Sequence, residues 1–494
     1  MTATAPVASG AGGLNGLDPA VTETHISVVF AVGDRVYKLK KAVQLPFLDW
    51  RRREVRAAAC HREVALNRRL APDVYLGVAD VLDDAGNACD HLVVMRRMPQ
   101  AHRLSELATS GADLDAGLCQ LASSLAEFHR TAERSPTITA AAGSESLINK
   151  WRDNLSTLRD HASIVDPDTV ESVSALALRY IDGRKLMFAA RGRAGYAVDG
   201  HGDLLANDIY LLDDGPRVLD CLEFSDELRS VDVLDDIAFL AMDLERLGRA
   251  DLATTFLDAY CEASGESHPD SLAQHYIAYR AGVRAKVACL RADQRDTAAG
   301  EQARRLLQIA ADHLHRARIR LVLVGGLPGT GKSTIAAGLA EQRGWRTLRS
   351  DVVRKELAGL GQTVRAGSAY GEGLYRGDHT KATYDELLRR AGDLLGLGES
   401  VILDASWTDT RWRSLARRVA DEAHADVVEL CCTAPAAVAA RRLEARGSSD
   451  ASDATPDVAA AMALRADPWP EANVLPTTTA VEASIELATA AVDA

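Results

Sequence analysis

Residues 321–334 of this chain, LVLVGGLPGTGKST, constrain its fold more strongly than any other stretch. Four apolar residues predict a short buried strand, and the amphipathic run IAAGLAEQ after the loop predicts a helix. The glycines let successive backbone N–H groups turn toward one anion, and the helix N-terminus adds a partial positive charge. The stretch therefore predicts a phosphate-binding loop between a strand and a helix. The residues expected to contact the nucleotide are Gly326, Leu327, Pro328, Gly329, Thr330, Gly331, Lys332, Ser333 and Thr334.

Three side chains carry the chemistry expected at this loop. Lys332 is expected to reach the β- and γ-phosphates of ATP, and the Ser333 hydroxyl to bind Mg²⁺. Asp404 ends the apolar strand SVILD, where it is expected to hold the same ion through water or through Ser333. Capping of the next helix is the alternative role for Asp404.

The rest of the C-terminal part alternates strands with helices. Strands are predicted at 321–324, 346–349, 400–404 and 427–432, with helices between them. This alternation is typical of a parallel sheet that is covered by helices on both faces.

A second acidic residue, Asp351, follows the strand RTLR in the segment LRSDVVRKEL. The segment resembles an element of small-molecule P-loop kinases such as gluconate kinase and chloramphenicol phosphotransferase, in which an Asp takes the proton from the acceptor hydroxyl. The resemblance implies that Asp351 is the general base and that Arg354 clamps the substrate or a phosphate. Capping of the helix by Ser350 or Asp351 is the alternative.

Two arginines of the helix ARRLEARG, Arg442 and Arg446, lie four residues apart and share a face. P-loop kinases carry lid arginines at a comparable place, where they neutralise charge on the transferred phosphoryl group. The resemblance implies this role for Arg442 and nucleotide contact for Arg446, with a solvated basic face as the alternative. The Ser/Asp-rich segment 447–457 is predicted to be a mobile lid loop.

The N-terminal part follows a different pattern. Residues 24–41 predict two strands joined at Gly33-Asp34, and residues 52–70 predict a helix. Strands are also predicted at 74–82 and 91–98, and from residue 103 the hydrophobic period is mainly helical. We therefore expect a small sheet with one helix, followed by a helical region.

A His-Gly-Asp sequence at 201–203 lies in this helical region, and Asp220 follows Asp203 by 17 positions at the end of a short strand. An Asp in a loop at the first place can accept a hydroxyl proton, and an Asp at the second can hold Mg²⁺ on ATP, as in protein kinases. The segment resembles the H-G-D loop of the aminoglycoside phosphotransferases, kinase-like enzymes that act on small-molecule hydroxyls. The resemblance covers most of residues 24–300.

This resemblance implies the roles of several residues. Asp203 is then the catalytic base, and Asp220 is a metal ligand. Lys38 contacts the α- and β-phosphates and Glu63 pairs with it, although Lys40 on the same strand face is a rival for this role.

The resemblance also implies a second metal ligand and an adenine site. The family usually has Asn five residues after the catalytic Asp, where this chain has Asp208 preceded by Asn207, and either side chain can ligate Mg²⁺. Met95 to Met98 are then the hinge that lines the adenine. The hairpin turn offers only Gly33 as phosphate cover, because no G-x-G-x-x-G precedes Lys38.

The chain length of 494 residues is too large for one core, which supports a division into domains. We predict a flexible tail at 1–22, an α+β kinase-like domain at 23–316 and an α/β P-loop domain at 317–494. Within the kinase-like domain, the small lobe spans about 23–100 and the helical large lobe about 101–316. Together the parts resemble bacterial proteins that fuse an aminoglycoside-phosphotransferase-like domain to a P-loop kinase-like domain.

Net charge and cysteine spacing limit the classes of partner and compartment that this chain is expected to have. A net charge of −13 disfavours a nucleic-acid partner, and no apolar run approaches the length of a membrane helix. Eight cysteines without paired spacing indicate reduced thiols and a cytoplasmic protein, and oligomeric state is not predicted. We therefore expect an ATP- and Mg²⁺-dependent phosphotransferase with two nucleotide sites, acting on hydroxyls of a sugar, amino sugar, aminoglycoside or similar molecule. The alternatives are a P-loop ATPase switch with a non-catalytic kinase-like binding module, and a polynucleotide 5′-kinase.

Overall fold

A computed structural model gives the structure of this 494-residue chain. It describes residues 20–23, 26–45, 48–293, 296–361, 376–445 and 454–493. Arg446 and most of the predicted lid loop 447–457 lie outside the described residues, as does most of the predicted tail. Ala20–Glu23, which begins within the range predicted as a tail, forms an edge strand.

An antiparallel sheet with one helix packed on it begins the chain, as predicted for the small lobe. The elements up to residue 141 are β1 (Ala20–Glu23), β2 (Ser27–Val32), β3 (Arg35–Lys40), β4 (Gln44–Leu45), β5 (Leu48–Asp49), α1 (Arg53–Asn67), β6 (Tyr75–Leu82), β7 (Ala88–Arg96), α2 (Leu104–Ser110), α3 (Asp115–Thr131) and α4 (Pro136–Ala141). Five strands pair in the order β1-β2-β3-β7-β6, all antiparallel. Cys60 and Val64, one turn apart on α1, pack on the sheet with Tyr75 and Val93, which fixes the helix over β6 and β7. The predicted hairpin at Gly33-Asp34 is confirmed.

The middle of the chain is mainly helical, as the hydrophobic period predicts. Its elements are α5 (Ser144–Asp160), α6 (Pro167–Gly183), α7 (Lys185–Arg193), β8 (Ala197–Asp199), β9 (Ile209–Leu212), β10 (Gly215–Val218), α8 (Asp226–Arg229), β11 (Ser230–Asp232), α9 (Val233–Arg246) and α10 (Ala250–Ser264). Two short antiparallel pairs, β9 with β10 and β8 with β11, frame the HGD loop. Among the residues that the structure describes, no helix is both long enough and apolar enough to cross a membrane.

A five-stranded parallel sheet with helices on both faces ends the chain, which confirms the predicted α/β P-loop fold. The elements are α11 (Asp270–Ala292), α12 (Thr297–Arg316), β12 (Arg320–Gly325), α13 (Lys332–Arg343), β13 (Arg346–Arg349), α14 (Ser350–Leu357), α15 (Gly377–Gly396), β14 (Val401–Asp404), α16 (Thr410–Glu422), β15 (Asp426–Thr433), α17 (Ala436–Glu444), α18 (Pro456–Ala463), β16 (Asn473–Pro476) and α19 (Val481–Asp493). The strand order is β13-β14-β12-β15-β16, and every pair is parallel. Leu321 to Val324 are fully buried in the central strand, because helices cover both faces of the sheet. The fifth strand, β16, was not predicted.

Two compact units divide the chain in a way that differs from the predicted boundary near residue 317. Unit 1 contains residues 1–141 and 197–266, and unit 2 contains residues 142–196 and 267–494. Five helices of the predicted kinase-like domain, α5, α6, α7, α11 and α12, therefore belong to the same unit as the parallel sheet.

Contacts at the end of α6 explain why these helices group with the sheet. Arg184, which is fully buried, donates from Nη1 to the carbonyl oxygen of Ala423 at 2.9 Å, and its guanidinium lies over the Tyr180 ring. Arg179 donates to Asp426, the first residue of β15, at 2.6 Å. These bonds join the end of α6 to the loop between α16 and β15.

We expect the substitution Gly183→Ala to destabilise unit 2. A Cβ at residue 183 would lie 2.4 Å from the carbonyl oxygen of Ala423, and a backbone atom cannot move aside cheaply. The expected loss in free energy of unfolding is about 1–3 kcal/mol, the usual cost of forced overpacking. Denaturant unfolding of the full chain measures it. The control is Gly300→Ala in α12, whose Cβ would meet Ile164 at an ordinary 3.6 Å and which should not destabilise. Equal midpoints for the two variants would contradict the expectation.

Candidate active sites

The phosphate-binding loop of unit 2 has the strand–loop–helix setting that the sequence predicts. It joins β12 to α13, and its glycines have positive φ angles of 129° at Gly326, 84° at Gly329 and 88° at Gly331. A Cβ on Gly326 would lie 2.3 Å from Cys432 O, and one on Gly329 would lie 2.5 Å from Ala439 O. Only glycine therefore fits at these two positions, both for its backbone angles and for the close approach of the neighbouring backbone.

The side chains of the loop divide into structural ones and ones that face outward. Thr330 is buried and donates from its hydroxyl to Leu327 O at 2.7 Å, which closes the loop on itself. Lys332 also donates to Leu327 O, at 3.1 Å, so its amine lies across the loop. Pro328 lines an adjoining cavity, and Thr334 is exposed on the first turn of α13.

Ser333 and Asp404 lie together, as the sequence predicts for a metal site. The Ser333 hydroxyl donates to Asp404 Oδ2 at 2.7 Å, and the Asp404 side chain is only 5% exposed. One hydroxyl oxygen and one buried carboxylate at the end of a parallel strand are suitable ligands for Mg²⁺ on ATP. The residues present therefore fit the expected metal ion.

Each of the two predicted functional carboxylates of unit 2 carries an arginine. Arg349 Nε lies 3.2 Å from Asp404 Oδ2. Arg354 donates from Nη1 to Asp351 Oδ1 at 2.5 Å, one helical turn away on α14. Each carboxylate is thus paired with an arginine side chain. The pairing of Arg349 was not predicted.

A cavity of about 340 Å³ connects the phosphate loop with Asp351. It lies beyond the carboxyl ends of β13 and β14, which is where open α/β sheets bind their ligands. Its lining includes Lys332, Ser333 and Asp404 on the nucleotide side, Tyr384 and Trp412, and four arginines. The arginines are Arg349, Arg354, Arg411 and Arg465. Asp351 thus shares one cavity with the residues expected to hold the γ-phosphate.

Arg442 contacts Thr477 and the phosphate loop. Its Nη2 donates to Thr477 O at 2.6 Å, and its Nη1 lies 3.2 Å from Thr477 Oγ1 and 3.5 Å from Gly329 O. The Thr477 hydroxyl in turn donates to Thr330 O at 2.7 Å. Arg442 therefore supports the phosphate loop directly through Gly329 O and indirectly through Thr477. Among the described residues, Arg411 and Arg465 line the cavity and Arg442 does not, so a role for Arg442 at the transferred phosphoryl group stays a prediction.

In unit 1 Lys38 meets its predicted partner, Glu63, and also the predicted metal ligand, Asp220. Lys38 Nζ lies 2.9 Å from Glu63 Oε1 and 2.7 Å from Asp220 Oδ1. Burial alone lowers the pKa of Lys38, but the charges of Asp220 and Glu63 outweigh it and raise the pKa well above its usual value. Asp220 has a positive φ of 62°, a strained angle for a non-glycine residue that is typical of functional sites. This strained carboxylate and the cationic lysine are suited to a metal-bound phosphate.

Lys40, the rival lysine, is also bound to Glu63 but points into the interior. Its Nζ lies 2.6 Å from Glu63 Oε2 and 2.5 Å from Glu223 Oε1, and it lies over the Trp50 ring. The Lys40 side chain is 0% exposed, whereas that of Lys38 is 16% exposed. Lys38 is therefore the lysine that a ligand can reach, and Lys40 holds Glu63 from below.

We expect Lys38→Met to affect nucleotide binding and Lys40→Met to affect stability. Lys38→Met should remove nucleotide binding from unit 1 and leave folding largely intact. Lys40→Met leaves Glu63 and Glu223 buried beside an apolar chain, which should cost about 3–5 kcal/mol of unfolding free energy. Nucleotide fluorescence titration in a Lys332→Ala background and denaturant unfolding separate the two effects. Equal stability losses for both variants would contradict this assignment.

Two buried acidic residues of α9 position the HGD loop, and sequence reasoning missed both. Asp236 accepts hydrogen bonds from the backbone N–H groups of His201 at 2.7 Å and Gly202 at 2.8 Å. Asp243 accepts one from Ala206 N at 3.0 Å. The signal was present in the sequence, because VLDDIAFLAMDLE places acidic residues in an otherwise apolar helix. These bonds fix the loop that carries Asp203.

Burial favours the neutral form of His201 in this loop. Its ring is fully buried and its Nε2 lies 3.1 Å from Leu219 O. Burial lowers the pKa of His201 to about 4. Asp203, two residues on, is half-buried beside it.

Asp208 and Asn207, the two candidates for the second metal ligand, differ in exposure, and Asp208 is half-buried. Burial, and then the negative charges of Asp220 and Asp203, raise the pKa of Asp208 well above its usual range. Asn207 is exposed. Carboxylates close enough to oppose each other's ionisation are a suitable ligand set for Mg²⁺, whose charge removes the repulsion. Asp208 and Asp220 therefore fit a metal ion in unit 1.

The predicted adenine hinge, Met95 to Met98, begins in the last two residues of β7 at the edge of the small-lobe core. Met98 is buried in a cluster with Val93 and Tyr210, and Met95 packs against the same cluster. Contact of Met95 and Met98 with adenine stays a prediction.

Comparisons with known proteins show a family match and similar full-length relatives. Residues 321–469 match the family described as AAA domain. The Mycobacterium tuberculosis protein Rv2004c (strain ATCC 25618 / H37Rv) is 45% identical over 450 residues, which cover 91% of this chain and 90% of the relative. The Mycobacterium bovis protein Mb2027c has the same identity and coverage.

Solved structures of kinases are similar to parts of the chain. A sugar kinase from Janibacter sp. HTCC2649 covers 36% of this chain and 95% of its own, with 19% identity and a TM-score of 0.28. A choline kinase from Cryptosporidium parvum covers 61% of this chain and 87% of its own, with 11% identity and a TM-score of 0.37. At such TM-scores these similarities imply nothing about the substrate.

Proposed function

This chain belongs to the family of the Mycobacterium tuberculosis protein Rv2004c, and we propose that it is an ATP- and Mg²⁺-dependent phosphotransferase with two nucleotide sites. Each site transfers the γ-phosphoryl group of ATP to a hydroxyl of a small molecule such as a sugar, amino sugar or aminoglycoside. The observation that carries the proposal is the cavity in unit 2, in which Lys332, Ser333 and Asp404 face Asp351.

The proposed reaction in unit 2 needs a base, a clamp for phosphates and an acceptor position in one place. The acceptor oxygen attacks the γ-phosphorus, the bond from that phosphorus to the β–γ bridging oxygen breaks, and ADP leaves. Asp351 takes the hydroxyl proton, and Lys332 holds the phosphates in line. A bound Mg²⁺ neutralises phosphate charge, and Ser333 and Asp404 would hold it.

The proposed reaction in unit 1 uses the same division of labour on a different fold. Asp203 takes the proton, Lys38 holds the phosphates through its pair with Glu63, and Asp208 and Asp220 would hold the metal ion. The fixed HGD loop supports this assignment, because Asp236 and Asp243 hold its backbone at both ends.

An ATP-consumption screen over sugars, amino sugars, aminoglycosides and nucleosides tests the proposal. It is run on the wild type, on Lys332→Ala and on Asp203→Asn. We expect at least one acceptor to raise ATP consumption, and loss of that signal in only one variant assigns the acceptor to one unit. Acceptor-independent ATP hydrolysis that only Lys332→Ala removes would instead favour a P-loop ATPase with a non-catalytic kinase-like module. Phosphorylation of 5′-hydroxyl oligonucleotides would favour a polynucleotide kinase.

A further inference from the structure

Arg349 occupies the place where the metal ligands of unit 2 converge. Its Nε lies 3.2 Å from Asp404 Oδ2, and its Nη2 lies 3.3 Å from Ser333 Oγ. Ser333 itself donates to the same Asp404 oxygen at 2.7 Å. The guanidinium therefore contacts both of the groups expected to bind Mg²⁺, so one organic cation stands where a metal ion is expected.

The sheet register builds this contact into the fold. Arg349 is the last residue of β13 and Asp404 is the last residue of β14, and the two are direct partners in the parallel register. Side chains of directly paired residues point to the same face of a sheet. The pairing of Arg349 with Asp404 is thus set by the two strand ends.

Arg349 also faces the site of the reaction. It lines the same cavity as Lys332 and Asp351, and its side chain is 31% exposed, whereas that of Asp404 is 5% exposed. The arginine can therefore move toward the cavity, while the carboxylate stays fixed at the strand end.

We propose that the Arg349 guanidinium occupies the metal site in the nucleotide-free protein. It releases its contacts with Asp404 and Ser333 when Mg²⁺ enters together with ATP. The inference rests on the proposed function, because it assumes that this cavity binds Mg²⁺ and ATP. Two cations cannot share one carboxylate oxygen and one hydroxyl without strong repulsion. A metal ion that enters alone must displace Arg349 from Asp404 and Ser333, whereas ATP also brings phosphates, which can bind Arg349, to the cavity that it lines. Metal binding at this site is therefore coupled to nucleotide binding.

The test measures Mn²⁺ binding to the full-length, nucleotide-free protein by electron paramagnetic resonance of the free ion. It uses a background of Asp208→Asn and Asp220→Asn, which removes the proposed metal ligands of unit 1. We expect Arg349→Met to bind Mn²⁺ at least tenfold more tightly than this background protein. Asp404→Asn added to Arg349→Met should abolish the gain. Arg346→Met, at the exposed first position of β13, is the matched control and should change nothing.

Two results would overturn the inference. One is an Mn²⁺ affinity of Arg349→Met that lies within twofold of the background protein, which a purely structural ion pair predicts. The other needs no substitution at residue 349: nucleotide-free background protein that binds Mn²⁺ as tightly as it does with a non-hydrolysable ATP analogue. If Arg349→Met does not fold by circular dichroism, this second measurement still decides. Failure of the phosphotransferase proposal is a separate result, since it appears as absence of acceptor-dependent ATP consumption.

Discussion

Replacing Lys332 by alanine is expected to lower acceptor-dependent ATP turnover at unit 2 by about 10²–10³-fold, the usual effect of removing one hydrogen-bond donor that stabilises charge in a transition state. The ammonium lies across the phosphate loop, 3.1 Å from Leu327 O, where the phosphates would arrive. Its loss removes a point charge that no neighbour replaces in the same position, so both nucleotide affinity and turnover should fall. Coupled-enzyme kinetics with the acceptor found in the screen measure turnover, and equilibrium dialysis with ATP measures affinity.

A surface lysine provides the control for this variant. Lys381 lies on α15, its side chain is 66% exposed, and it pairs with Asp385 one turn away. Lys381→Ala removes the same charge from the same unit, and we expect turnover within twofold of the wild type. If Lys332→Ala also stayed within twofold for every acceptor found, the loop would not be a catalytic phosphate site.

The phosphate loop could be predicted from sequence because its geometry is local. Gly326, Gly329 and Gly331 are required by backbone angles and by contacts within the loop and its adjoining elements. A strand, a turn and a helix follow each other without interruption, so the motif specifies its own setting. The same holds for Ser333 and Asp404, since parallel strands end at one edge of a sheet.

The choice between Lys38 and Lys40 could not be made from sequence. Both lie on one strand face and both contact Glu63. What separates them is Glu223, which is 183 residues from Lys40 along the chain and draws it into the interior. Only the folded chain brings these residues together.

The other residues were missed for the same physical reason, because their contacts join parts of the chain that are far apart in sequence. Asp236 acts on a loop 34 and 35 residues away, and Arg349 meets Asp404 across 55 residues. The resemblance to P-loop kinases implied a role for Arg442 at the phosphoryl group, but in the structure its guanidinium donates to Thr477 O, on the segment after β16. The grouping of α5–α7 with the parallel sheet likewise depends on the contacts of Gly183 and Arg184 with the loop after α16.

Replacing Asp203 by asparagine is expected to lower turnover at unit 1 by about 10²–10⁴-fold, the range that a general base contributes. The substitution is made in a Lys332→Ala background, so that only unit 1 is active. Asparagine has nearly the same shape, and Asp236 and Asp243 hold the loop through its backbone, so the fold should not change. Nucleotide affinity should stay within a few-fold, because Lys38 and Asp220 are unaffected. The rate is measured as the transfer of ³²P from γ-³²P-ATP to the acceptor.

The contrast with Asp220→Asn separates a base from a metal ligand. Asp220 Oδ1 accepts a hydrogen bond from Lys38 Nζ at 2.7 Å, and the negative charge of Asp220 also raises the pKa of Asp208. Its neutralisation should weaken Mg²⁺-dependent nucleotide binding as well as turnover. Asp213→Asn, at the exposed turn between β9 and β10, is the control and should be silent. If Asp203→Asn kept full transfer to an acceptor whose phosphorylation survives Lys332→Ala, Asp203 would not be the base. If every acceptor signal vanished with Lys332→Ala alone, unit 1 would be a binding module, because a kinase-like fold with an intact Lys38–Glu63 pair does not by itself make a phosphotransferase.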